Sequence, residues 1–413
     1  MKILHTSDWH LGRSLYGRSR YQEHSAFLDW LVECINQQEI NLLIVAGDIF
    51  DSSTPSNRAQ ELYYSFLFRV SSSCCSHVVI IGGNHDSPTF LNAPKALLQV
   101  LNVHVIGAKT ENPADEVIIL RNEEHQPAAI ICAVPYLRDR DLRTVEAGES
   151  VHDKNARLIN GLKGHYTAVC TIAEQQQDAF GKEGFPAVPI IATGHLFTAN
   201  GKTVEGDGVR DLYVGSLACI EAALFPSSIN YLALGHLHVP QRIKDADNIR
   251  YCGSPIPMGF GEAQQTKQVL VVQFGTGKPI IREVPVPCFQ ELVRITGSLE
   301  DILKKLVELK STGSGAWLEI EHTGKEMAAD LRDRIDEALL DSDMEIRLLK
   351  NRRLTDKILR SQYANETLDD LDENDVFERC LDTFAVPSEN REELSAAYRE
   401  ILLSLQTEDN NAE

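Results

Sequence analysis

Short apolar runs recur along the chain, and each ends in the same way. KILHTSD (2–8), NLLIVAGD (41–48), HVVIIGGN (77–84), PIIATGH (189–195) and YLALGH (231–236) each carry four to six strand-forming residues. Each closes on a small residue or glycine next to a side chain able to bind a proton or a metal. Continuous apolar runs of this length mark strands buried on both faces. Between the first two runs Phe27, Leu31 and Ile35 recur at a spacing of four; between the next two, Leu62, Tyr63 and Phe66 suggest a second helix. Strand–helix–strand alternation predicts an α/β domain with parallel strands. Ligands of such sheets bind beyond the carboxyl ends of the strands, so polar residues belong where each strand leaves the core.

Further along, IRYCGSPIPMGF (249–260) and TKQVLVVQFGTGKPIIREV (266–284) predict strands and a hairpin. GTGK (275–278) lacks the spacing of a phosphate-binding loop and reads as the turn. After Pro285 and Pro287 the pattern changes. ELVRITGS, a helix over 299–310, AWLEIEHT, a helix over 325–340 and MEIRLLK predict a small β-α-β-α-β domain. From Asn351 the chain turns polar and helical. Val376, Phe377, Cys380, Leu381 and Phe384 share one face, and Leu394, Tyr398, Ile401, Leu402 and Leu405 another, with Pro387 between. Two such short helices bury little against each other. They either pack on the chain's own body or dock a partner. The expected divisions are 1–285, 286–350 and 351–413.

Composition adds limits. With 413 residues and 43% apolar content the chain can build two or three cored domains. The net charge of −20 argues against a strongly basic nucleic-acid binder. Residues 361–413, however, hold 15 Asp/Glu against 3 Arg, so global charge says little about any local site. MKILHTSDWH is not a signal peptide, and no apolar run approaches the roughly 18 residues of a membrane helix. The nine cysteines are dispersed without a CxxC pair, which reads as reduced thiols in a cytoplasmic protein.

The strand ends carry the chemistry. Asp8 and His10 lie in DWH, Asp48 in GDIFD, Asn84 in GNHD, His195 in GH, and His236 and His238 in GHLH. A lone histidine is more often a surface or core residue, and His5, His24, His77, His104, His125, His152, His165 and His322 are read that way. Seven candidates at five strand ends are a different matter. Mixed carboxylate, imidazole and amide donors suit Mn²⁺, Fe²⁺ or Zn²⁺. Seven ligands are too many for one ion, but with one bridging carboxylate they fill two sites of four. Two ions about 3.5–4 Å apart form a clamp for phosphoryl transfer.

The order D-x-H, GD-x-x-D, GNHD, GH, GH-x-H resembles the calcineurin-like metallophosphoesterase superfamily. ILHTSDWHLG, VAGDIFD, GNHDS, IATGH, LALGHLH and RYCGSPIP are similar to its bacterial MRE-type DNA-repair nucleases. The resemblance spans essentially the whole chain. It implies a β-sandwich flanked by helices, a small α+β capping domain over 286–350, and C-terminal helices over 351–413 that bind an SbcC-type ATPase. It also implies two divalent ions, Mn²⁺ foremost, with Asp8, His10 and His238 on one, Asn84, His195 and His236 on the other, and Asp48 bridging. His85 would act on the substrate phosphate as proton donor or transition-state contact, with the Asp51 carboxylate orienting it. Asp86 would support the turn.

The implied activity is exonuclease action on duplex DNA ends and endonuclease action on single strands and hairpins, in DNA repair, recombination and replication. The implied assembly is a homodimer within a heterotetramer. Its candidate helices are those of Leu62, Tyr63 and Phe66 and of Leu97, Leu98 and Leu101. Arg13, Arg18 and Arg20, with Arg138, Arg140 and Arg143, are candidates to position DNA phosphates. A small-molecule phosphodiesterase and a non-catalytic tether are the competing functions. The extra domain and acidic tail weigh against the first, and the full ligand set against the second.

Overall fold

The computed structural model describes residues 1–143, 150–198, 222–243, 246–275, 277–324 and 328–351, with single positions 377, 381, 391, 394, 395 and 398. The chain divides into two units, Met1–Phe289 and Gln290–Glu413.

In the first unit the apolar runs become strands of two six-stranded sheets. Lys2–Thr6, Leu42–Ala46, His77–Ile81 and Val103–Ile106 run parallel in one, extended antiparallel by the hairpin Gln268–Gln273 and Ile280–Pro285. Pro127–Cys132, Ile190–His195, Tyr231–Gly235 and Ala246–Tyr251 run parallel in the other, between antiparallel edges Val117–Arg121 and Gln241–Ile243. The sheets are therefore mixed, where the strand-end pattern alone predicts parallel ones. Their antiparallel strands lie next to a sequence neighbour and need no crossover helix.

One face of each sheet packs on the other. Ile3, Ile44, Val79 and Ile81 meet Ala129, Ile131, Ile191 and Tyr231 in a single buried cluster. Helices cover the outer faces. Tyr21–Gln38 and Asn57–Ser71 bury Phe27, Leu31, Ile35, Tyr63 and Phe66 over the first sheet. The 32-residue helix Val151–Lys182 buries Leu162, Tyr166, Val169 and Ala173 over the second. The expected sandwich flanked by helices is the architecture present. The long helix has its own sequence signal: apolar residues spaced by three and four, and a Ser150–Asp153 capping box. Burial on both faces explains why the strands read as unbroken apolar runs.

The second unit holds three parallel strands, Leu292–Gly297, Trp317–His322 and Glu345–Asn351. Helices Leu299–Ser311 and Ala328–Leu339 bury Ile302, Leu306, Leu331 and Ile335 with Ile295, Leu318 and Ile320. Most of the 351–413 segment lies outside the described residues. At the described positions, the Phe377 and Tyr398 rings stack with centroids 4.0 Å apart, and Leu381 is buried. No helix of the described residues is long and apolar enough to cross a membrane.

If the layer between the sheets holds the first unit together, Ile131→Ala should destabilise it by about 2–5 kcal/mol. Val307→Ala, at a position 63% exposed, should change stability by less than about 0.5 kcal/mol. Chemical denaturation of both variants checks this; equal small shifts would contradict it.

Candidate metal centre

The strand ends of both sheets meet at one edge of the sandwich. Asp8 and His10 follow Lys2–Thr6, Asp48 follows Leu42–Ala46, and Asn84 and His85 follow His77–Ile81. His195 closes Ile190–His195, and His236 and His238 follow Tyr231–Gly235. The turns are tight. Asp8, His10, Asp48 and His236 have φ of 55°, 48°, 51° and 96°. Side chains rarely adopt this region, at about 1–3 kcal/mol each, and it persists only where the surroundings enforce it.

Here the loops enforce it on each other. Asp8 and His10 donate their amides to the Gly47 and Asp48 carbonyls at 3.0 Å, and His236 donates its amide to the Asp8 carboxylate at 2.9 Å. The buried Asp86 carboxylate accepts the amides of Gly83, Ile49 and Phe50 at 2.8, 3.2 and 3.0 Å. It thereby ties the GNHD turn to the Asp48 loop. A Cβ on Gly83 would lie 2.1 Å from Asp48 Oδ1, so only glycine fits there.

The side chains form two groups that share Asp48. Asp8, His10 and His238 bring donor atoms together, as do Asp48, His195 and His236. Asn84 Oδ1 joins the second group, 2.9 Å from His195 Nε2 and 3.2 Å from His236 Nδ1. Asp48 Oδ2 stands 3.2 Å from His195 Nε2 and 3.7 Å from His10 Nε2.

The far nitrogens decide which atoms are free to bind. His195 Nδ1 donates to the Ala46 carbonyl at 2.9 Å, which leaves Nε2, facing the Asn84 and Asp48 oxygens, as the atom that takes a proton or a metal ion. His10 Nδ1 faces the Asp51 carboxylate at 3.4 Å and His238 Nδ1 faces Glu262 at 3.6 Å. Their Nε2 atoms, 3.2 Å apart, then present lone pairs to each other. Acceptors facing acceptors in a buried site repel unless a cation lies between them. The residues fit two divalent ions.

The electrostatics agree. Burial alone would raise Asp48, but the imidazoles of His195, His10 and His85 outweigh it and hold the carboxyl well below its usual range. Burial would lower His195, but Asp48 and Asp8 outweigh that and raise it to about 9. Burial lowers His236, helped by neighbouring His195. The site favours positive charge in its centre and lone pairs around it.

His85 lies beside the first group, its ring edge-on to His10 with centroids 4.8 Å apart, and its donor atom gathers with those of His10 and Asp51. Its amide is bound by Asp48 Oδ1 at 2.9 Å. The geometry corrects the expectation for Asp51. His85 Nδ1 donates to the Asp51 backbone carbonyl at 2.8 Å, not to its carboxylate. The carboxylate turns instead to His10 Nδ1 and to Arg13, 3.1 Å away. Burial would raise Asp51, but His10 and Arg13 hold it at about 2.

The arginines divide. Arg20 is buried, its guanidinium occupied by Glu23 at 2.7 and 2.8 Å and by the Pro257 carbonyl at 2.6 Å. It is a structural clamp and not a phosphate contact. Arg13 is tied to Asp51, and Arg143 pairs with Asp139 at 2.8 Å. Arg18 and Arg140 are exposed, and Arg138 is half-buried.

Other neighbours escape the strand-end pattern. The half-buried Tyr136 stands edge-on to His195, and Phe197 edge-on to His236, with centroids 6.3 and 6.4 Å apart. Glu262 and Lys267 lie behind His238. Their one local signal is a charged residue in the otherwise uncharged stretch YCGSPIPMGFGEAQQT.

The calcineurin-like phosphoesterase family model matches residues 1–240, and the SbcD C-terminal model, described as a type 5 capsule protein repressor C-terminal domain, matches residues 288–383. The chain is 37% identical to the SbcD component of the nuclease SbcCD of Escherichia coli K12, over 92% of each chain. It is 34% identical to the corresponding SbcD protein of Rhodobacter capsulatus over 75% of this chain and 76% of that protein. For that of Bacillus subtilis the identity is 31% over 78% of each. A dimetal phosphatase from Danio rerio aligns with a TM-score of 0.40 at 11% identity, covering 70% of this chain and 97% of that one.

The Asp51 geometry makes a sharp prediction. Asp51→Asn keeps the carbonyl that holds His85 and removes the charge beside His10. Metal affinity should fall about 10–100-fold, while turnover at saturating metal changes only a few-fold. Metal titration and saturating kinetics separate the two; unchanged affinity with lost turnover would put the carboxylate on His85 after all.

Proposed function

Because this chain belongs to the calcineurin-like phosphoesterases, and among them to the SbcD components of SbcCD nucleases, we propose that it cleaves DNA at a two-manganese centre in complex with an SbcC-type ATPase. It is a metal-dependent phosphodiester hydrolase. The observation that carries the reading is the single Asp48 oxygen placed between His195 and His10. We assign Asp8, His10 and His238 to one ion, Asn84, His195 and His236 to the other, and Asp48 to both. Oxygen and imidazole donors without a thiolate suit Mn²⁺.

When bound, the two ions supply an activated water and neutralise charge building on the phosphoryl group. The chain's residues do the remainder. Asp48 holds the two halves of the site at one spacing. The Asp51 carbonyl accepts a hydrogen bond from His85 Nδ1 at 2.8 Å, so that Nε2 is the nitrogen left to face a phosphodiester. From there His85 can act as the proton donor to the leaving oxygen.

Several features support DNA as substrate and the larger assembly. The exposed Arg18 and Arg140 and the half-buried Arg138 suit contact with phosphates, with Arg13 nearer the ligands. Phe68, Leu97 and Val100 are 66%, 70% and 79% exposed on or beside the helices expected to form a dimer, apolar area that a second copy would cover. The 351–413 segment, whose sequence pattern is that of amphipathic helices, is the docking segment for the ATPase, and no nucleotide motif in this chain competes with that division of labour. Cys34, Cys74, Cys75, Cys132, Cys170 and Cys252 are free thiols, in keeping with a reducing cytoplasm. Exonuclease action on duplex ends and endonuclease action on hairpins and single strands would serve repair, recombination and replication.

The test is Mn²⁺-dependent cleavage of a hairpin-ended duplex, alone and with an SbcC-type ATPase plus ATP. Asp48→Ala should abolish cleavage. His85→Ala should lower turnover about 10²–10⁴-fold while both ions still bind. Turnover of a small phosphodiester without DNA cleavage, even with the ATPase present, would contradict the reading.

A further inference from the structure

A buried charged network lies behind His238, and the ligand set does not account for it. The segment after Tyr251 folds against the His238 backbone, with the Ser254 amide donating to the His238 carbonyl at 3.2 Å. Lys267 Nζ reaches the same carbonyl at 3.1 Å and Ser254 Oγ at 3.0 Å, and pairs with Glu262. Both charged side chains are almost completely buried.

The two oxygens of Glu262 are used differently. Oε2 takes the Lys267 ammonium and the Met258 amide, the latter at 2.9 Å. Among the described residues Oε1 has no hydrogen bond, and it stands 3.6 Å from His238 Nδ1. One oxygen is anchored and the other is left for the ring. A core ion pair serving only stability has no need of that division, since an apolar pair of equal volume stabilises as well or better.

We propose that Glu262, anchored by Lys267, is the positioning residue for His238. Its negative charge favours the proton on Nδ1, leaves Nε2 for the ion shared with Asp8 and His10, and sets the affinity of that one site. The inference rests on the proposed ligand assignment and extends it to residues that touch no ion. It also gives the CGSPIP segment a role: its loop brings Glu262 and Lys267 behind the ligand. The imidazoles of His195 and His10 have equivalent acceptors, the Ala46 carbonyl for the first and Asp51 for the second.

The experiment is Mn²⁺ titration of the metal-free, full-length chain by calorimetry and electron paramagnetic resonance. Glu262→Gln removes the counter-charge of a buried ammonium and is compared with the double variant Glu262→Gln, Lys267→Met, which removes both charges. Wild type should bind two ions. The double variant should stay folded by circular dichroism, bind one ion as wild type does, and bind the other about 10–100-fold more weakly. In a His238→Ala background the same pair of changes should cause no further loss, because the effect passes through that ring. Unchanged affinity at both sites in the folded double variant would overturn the inference and leave the ligand assignment standing. An equal loss in the His238→Ala background would also overturn it. A wild type that binds fewer than two ions would remove the assignment itself, and the inference with it.

Discussion

Ile44 and Ile81 of one sheet and Ile131 and Ile191 of the other lie in the same fully buried layer, and that layer determines where the strand ends go. Parallel strands alone would place ligands along the edge of a single sheet. Packing two sheets face to face brings a second row of strand ends opposite the first, so His195 and His236 reach Asp48 and Asn84. Neither sheet holds the set by itself. Asp8, His10, Asp48 and Asn84 come from one, and His195, His236 and His238 from the other.

The edge so formed is locally unfavourable to folding. Four of its residues adopt left-handed backbone, and its buried side chains are mostly acceptors. Such strain persists where surrounding contacts over-determine it. The amides of Asp8, His10 and His236 lock the loops together, and the buried Asp86 fastens the GNHD turn to them. The same acceptors that repel in their own company attract divalent ions, so the features that weaken the edge give it its chemistry.

The residues gathered at the sandwich edge were legible in the sequence because each sits at the end of an unbroken apolar run, and a strand's end is a local property. What was not legible depends on atoms or on distant partners. Sequence places Asp51 near His85, but only geometry shows that its carbonyl and not its carboxylate makes the contact. Arg20 and Arg18 look alike in the sequence. Glu23, three residues on, and the distant Pro257 carbonyl bury one, while the other remains at the surface. Glu262 and Lys267 lie against a histidine more than twenty residues earlier in the chain, a pairing that their one local signal does not reveal. The hairpin of Gln268–Gln273 and Ile280–Pro285 was legible from its turn, but not that it pairs with Lys2–Thr6 to make a mixed sheet, because that pairing joins residues far apart in the chain.

The most direct measurement of the central claim is anomalous X-ray scattering from crystals grown with Mn²⁺. The account predicts two peaks about 3.5–4 Å apart, with Asp48 touching both and His85 touching neither. A single peak, or His85 among the ligands, would contradict it.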